Sequence, residues 1–110
     1  MEMLDEGHRQ QALSGTALRR AIVDVVERHL PPKSARVFLS GSEASGTARP
    51  GADVDVALLG AEAIPLRTIE KIREELERLR TLRAFDVVDL CTTSESFRSD
   101  VERHGVLLNG

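Results

Sequence analysis

Two short apolar runs rich in strand formers, 36–40 (RVFLS) and 53–59 (DVDVALL), flank a segment dense in Gly, Ser, Ala and Pro. The second run carries two aspartates two residues apart. Side chains alternate along a strand, so Asp53, Asp55 and Ala57 share one face while Val54, Val56 and Leu58 share the other. The apolar face supplies core contact; the acidic face is one the protein does not simply bury. Like charges this close repel each other, and apolar flanks sharpen the repulsion. A cation relieves it, and hard carboxylate oxygens select Mg²⁺ or Mn²⁺.

The first run ends in Gly41-Ser42, where a glycine lets the backbone approach an anion and the start of a short helix over 42–47 adds free N–H groups and a favourable dipole. Residues 47–52, with Pro50-Gly51, read as a turn. The Lys-Ser/Thr ending of a Walker A loop is absent. A cation site beside an anion site suggests a nucleotide. From average residue usage, Gly, Ser, Asp and Asp at four set places arise by chance on the order of 10⁻³ times in a chain of this length. A pair of metal ions about 4 Å apart for in-line phosphoryl displacement needs a third carboxylate. The run 84–91 (AFDVVDLC) offers Asp86 and Asp89, three apart and therefore on opposite faces of a strand; periodicity does not choose between them.

The remaining elements follow from spacing. Residues 1–12 form a loose arm and 13–110 a single domain. From Ser14, the apolar residues Leu18, Ile22, Val25 and Val26, with His29, define a helix that stops before Pro31-Pro32. Pro65 opens a long helix with a stripe of Leu66, Ile69, Ile72, Leu76, Leu79 and Leu82. Lys71 with Glu75 and Glu74 with Arg78 are spaced to pair on its exposed side. Thr92-x-x-Glu95 matches a capping box for a last helix with Phe97 and Val101 inward. Residues 106–108 add a strand or close the core. This order predicts an α/β (α+β) sandwich with a small mixed sheet.

At 110 residues, with 41% hydrophobic and 30% charged, there is room for one core and not for a separate substrate domain. No apolar run reaches the roughly 20 residues of a membrane span. A polar, acidic start and a lone Cys91 agree with the cytoplasm. A net charge of −3 excludes tight binding of long nucleic acid by counterion release, and three Phe without Trp or Tyr exclude a single-strand stacking platform. His8, His29 and His104 lack metal-ligand spacing, and Cys91 has no paired base.

These residues resemble the minimal nucleotidyltransferases of the DNA polymerase beta superfamily, whose pattern is G-S-x10-D-x-D followed by a third Asp in an apolar strand. Gly41, Ser42, Asp53 and Asp55 match directly, Gly46, Ala48, Arg49 and Pro50 match the connection, and the likeness spans about residues 16–108. The resemblance implies the nucleotidyltransferase fold and Asp86 as the third catalytic and metal-binding carboxylate, with Asp89 left as an outer or surface group. It also implies Mg²⁺, two ions, with Mn²⁺ as an alternative, and ATP as substrate. Small members of this family work with an all-helical HEPN protein, in the best understood case as an antitoxin transferring AMP onto a tyrosine of the HEPN toxin and blocking its RNase activity. One departure stands beside the phosphate turn: Glu43 occupies a place where the family commonly has Arg.

The expectation is therefore a cytoplasmic, metal-dependent nucleotidyltransferase that adenylylates a HEPN partner. Asp53, Asp55 and Asp86 are its catalytic and metal-binding residues, and Gly41 and Ser42 bind the nucleotide. The alternatives are a binding module that neutralises its partner by contact, with Glu43 marking a decayed site, and transfer to a small-molecule hydroxyl. Exposed sheet edges are compatible with a homodimer.

Overall fold

In the first helix, Leu18, Ile22, Val25 and Val26 recur at spacings of three and four and are all buried, giving α1 (Gly15–His29) one apolar face. Arg28 and His29 in its last turn suit the negative end of the helix dipole, and Pro31-Pro32 stops it. The computed structural model describes residues 15–41, 53–81 and 83–109. The expected arm at 1–12, the helix at 42–47 and the turn at 47–52 lie outside those residues.

After the prolines come β1 (Ala35–Ser40), β2 (Val54–Gly60), α2 (Leu66–Leu76), β3 (Phe85–Asp89), α3 (Glu95–His104) and β4 (Val106–Leu107). The strands form one sheet in the order β3-β2-β1-β4. β1 is antiparallel to both β2 and β4, and β2 is parallel to β3 across the α2 crossover. The sheet is mixed, as expected. Beyond β4 the Asn109 amide extends the edge pairing, its Oδ1 accepting from Val37 N and its Nδ2 donating to Ala35 O, both at 2.9 Å.

Alternation divides the sheet into two faces. Val37, Leu39, Val54, Val56, Leu58, Phe85 and Val87 join the apolar faces of α1 and α2 in the main core. Phe38, Ala57 and Leu59 face the other way and pack with Leu90 and with Val101 of α3. The result is three layers, with α1 and α2 on one side of the sheet and α3 on the other. Among the described residues, no helix is long and apolar enough to cross a membrane.

Several local expectations are corrected. Leu66 is 71% exposed, so the buried stripe of α2 begins at Ile69. The helix ends at Leu76, where Arg78 N and Leu79 N bond to carbonyls three residues back and tighten the last turn; Leu79 still packs on the core from outside the helix. Leu82 lies outside the described residues. Glu75 does not serve a pairing within its own helix: it accepts from Arg28 and lies 2.7 Å from His29 Nε2, tying α2 to the end of α1. Thr92 does not cap the last helix, because its hydroxyl turns back to Asp89 O at 2.9 Å; Ser94 caps it instead, accepting from Phe97 N at 3.1 Å.

Candidate active site

The register of three strands builds the site. Ser40 of β1 pairs with Asp55 of β2, and Asp55 pairs with Asp86 of β3, so the three side chains form a row across one end of the sheet. Neighbouring strands lie about 4.8 Å apart, which places the two carboxylates close to each other on the α3 side. The row is pinned where β2 begins, because Val54 N donates to Ala84 O at 2.8 Å. Asp53 stands one residue before β2, exposed to solvent.

Gly41 follows directly on Ser40 with φ +66°, a left-handed conformation that only glycine adopts without strain. A Cβ at this position would stand 2.6 Å from Asp55 Oδ2. The missing side chain is thus the space in which the Asp55 carboxylate sits. Ser42, the expected phosphate ligand, lies outside the described residues, as does Glu43.

Asp89 goes elsewhere. It faces away from Asp55, on the side of Phe85 and Val87, and is only 7% exposed. Its two carboxylate oxygens accept from Ile64 N at 2.7 Å and Cys91 N at 2.9 Å, fastening the loop before α2 to the end of β3. It is a buried structural anchor and not a surface group.

The row opens into a cleft of about 310 Å³ lined by Ser40, Gly41, Asp55, Asp86, Val88 and residues of α3. From α3 come Phe97, Asp100 and Val101, at helical spacings of three and four. Phe97 was expected inward; it is 42% exposed and belongs to the cleft wall. Ser40, Phe97 and Asp100 had no functional signal in the sequence. Ser40 became visible only through its pairing with Asp55, and the helix residues only through the way α3 is seated.

Burial raises the pKa of Asp55 above the ordinary 3.8, and the charges of Asp86 and Asp53 add to the effect. The smaller, like-charge part of this shift is the strain that a D-x-D strand with a third carboxylate should carry. Among the described residues, no three carboxylate, imidazole or thiol groups already converge into a cage for a metal ion. The donor set nevertheless fits a hard divalent cation in chemistry: all its oxygens are anionic or hydroxylic, and among the described residues no ion pair offsets the charge of Asp53, Asp55 and Asp86.

The chain matches the family described as polymerase beta, nucleotidyltransferase over residues 21–110. No curated protein matches it. Among solved structures it is similar to a toxin–antitoxin with AMP-PNP, at 24% identity and TM-score 0.65 over 84% of this chain and 73% of that one. It is also similar to a tri-AMPylated Shewanella oneidensis HEPN toxin in complex with MNT antitoxin, at 20% identity and TM-score 0.63 over 84% and 70%. The toxin–antitoxin MntA-HepT matches at 22% identity and TM-score 0.59 over 87% and 73%. At these identities the likeness is one of fold, and the family match covers both carboxylate strands and the cleft between sheet and α3. The chain belongs to the polymerase beta nucleotidyltransferase family.

Proposed function

We propose that this protein is a divalent-metal-dependent nucleotidyltransferase that transfers AMP from ATP to a hydroxyl of a HEPN-type helical partner and thereby acts as the partner's antitoxin in the cytoplasm. The observation that carries the reading is the pairing of Asp55 with Asp86 across parallel strands, beside a glycine whose missing side chain accommodates the Asp55 carboxylate. The family match supports the reaction class. The partner and the nucleotide rest on the structural neighbours, one with AMP-PNP and one an AMPylated HEPN toxin in complex with its MNT antitoxin.

In this reading, Asp53, Asp55 and Asp86 hold Mg²⁺, or Mn²⁺ in its place. When bound, the metal supplies charge neutralisation on the triphosphate and on the leaving pyrophosphate. Gly41 and Ser42 receive the phosphates through backbone amides and a hydroxyl. Asp86 takes the proton of the acceptor hydroxyl as its oxygen bonds to the α-phosphorus and the bond to pyrophosphate breaks. The raised pKa of Asp55 fits a carboxylate poised for a cation that relieves its repulsion.

Incubation with α-labelled ATP, Mg²⁺ and the product of the adjacent reading frame tests the proposal. Label should move to that protein, and Asp53→Ala should reduce transfer about a hundredfold or more, since metal-stabilised charge contributes several kcal/mol. Absence of transfer, or transfer that Asp53→Ala leaves intact, overturns it. Glu43 favours a second reading, a binding module that neutralises its partner by contact. Calorimetry separates the two: a contact-only antitoxin shows no nucleotide-dependent heat.

A further inference from the structure

Of the chain's three aromatic residues, Phe38 and Phe85 are 3% and 4% exposed, whereas Phe97 is 42% exposed. Leu66 and Leu107 are exposed as well, but neither lines the cleft that holds the carboxylates. Phe97 does line it. Two residues further back, Glu95 begins α3, and four residues on, Val101 is buried against the sheet, so the ring is carried on a helix anchored by its own apolar side.

The cleft is chemically divided. Ser40, Gly41, Asp55 and Asp86, at the ends of the strands, make one side polar and anionic, suited to a cation and phosphates. Val88, Val101 and Phe97 give the other side its apolar surface, with the Asp100 carboxylate of the same helix beside them. A nucleoside triphosphate has the same division, with charged phosphates at one end and a planar aromatic base at the other. An exposed phenyl ring offers a base a face on which to stack, and such stacking does not depend on which base is present.

We propose that Phe97 is the stacking platform for the base of the nucleoside triphosphate bound in this cleft. The inference rests on the nucleotide reading above and adds to it the residue that holds the end of the substrate remote from the metal. One ring suits one base, in keeping with a chain that has no aromatic series for a nucleic-acid strand.

Calorimetric titration of the full chain with ATP and with inorganic tripolyphosphate, both in Mn²⁺, tests the platform. Phe97→Ala should weaken ATP binding about tenfold or more and leave tripolyphosphate binding unchanged, while Phe97→Trp should retain ATP binding within about twofold. The platform is overturned if Phe97→Ala binds ATP like the wild type, or if it loses ATP and tripolyphosphate equally, as a structural role would require. Unchanged ATP binding with impaired transfer to the partner would make Phe97 an acceptor contact and overturn it too. Wild-type protein that binds neither ligand overturns the nucleotide reading itself, and the platform with it. The other results sink the platform alone.

Discussion

Asp55 bears a cost that follows from its place. Burial, then Asp86, then Asp53 raise its pKa, so the folded protein binds the Asp55 proton more tightly than the unfolded chain does. Its contribution to stability is therefore full below 3.8 and is lost as pH rises through the folded value. In the presence of a chelator, Asp55→Asn should melt higher than wild type at neutral pH by on the order of a few degrees. The gap should close as the pH falls toward the ordinary aspartate range. A variant that melts lower at neutral pH would mean that the ionised carboxylate is stabilised by the fold, contrary to this account. The same strain is what a bound cation would remove, so one residue links stability, pH and metal.

Among the elements, α3 is the one whose seating decides the cleft. It ends at Gly105, where a Cβ would stand 2.6 Å from Val101 O and 3.0 Å from Leu39 O. Both are backbone atoms, which cannot swing aside as a side chain can. The glycine lets the end of the helix pass against β1, and the helix in turn carries Phe97, Asp100 and Val101 to the sheet. Gly105→Ala should destabilise the protein by about 1–3 kcal/mol through overpacking. Denaturant unfolding would measure it, and an unchanged midpoint would show that helix and strand separate freely at this point. The expected capping box failed here for a related reason. Thr92 is drawn to Asp89 O by the turn that follows β3, which leaves Ser94 as the first residue free to cap the helix. Thr93 is likewise taken, by Leu90 O at 3.1 Å, and a motif of four residues does not reveal which of three successive hydroxyls the preceding turn will leave free.

For the whole molecule, the layer of α1 and α2 is joined to the sheet by apolar burial and closed on its outer side by Glu75. Its carboxylate is held below the ordinary 4.5 chiefly by the hydrogen bond from Arg28, with His29 adding to it. A lowered carboxylate stabilises the fold above its ordinary value, and that stabilisation is lost as pH falls through the folded one. Glu75→Gln should melt slightly below wild type at neutral pH, and the difference should narrow as the pH is lowered beneath 4.5. A difference that persists unchanged in acid would assign the effect to packing instead of charge.

What sequence by itself determined about this protein is whatever short-range geometry determines. Period-two alternation put Asp55 opposite Val54 and Val56, and spacings of three and four put Ile22, Val25, Ile69 and Ile72 on buried helix faces. The Gly41 turn and the acidic strand face were legible for the same reason. Tertiary structure decided everything that depends on how one element is placed against another. Asp86 and Asp89 are equivalent to a periodicity argument; the parallel register of β3 beside β2 puts Asp86 next to Asp55 and turns Asp89 toward Ile64 N and Cys91 N. Glu75 finds its partners 46 and 47 residues away in the chain instead of four. Phe97 carries no mark in the sequence that separates it from a core residue, and only the packing of α3 on the sheet through Val101 leaves its ring in the cleft. Local rules set which face a side chain takes; long-range packing sets what that face meets.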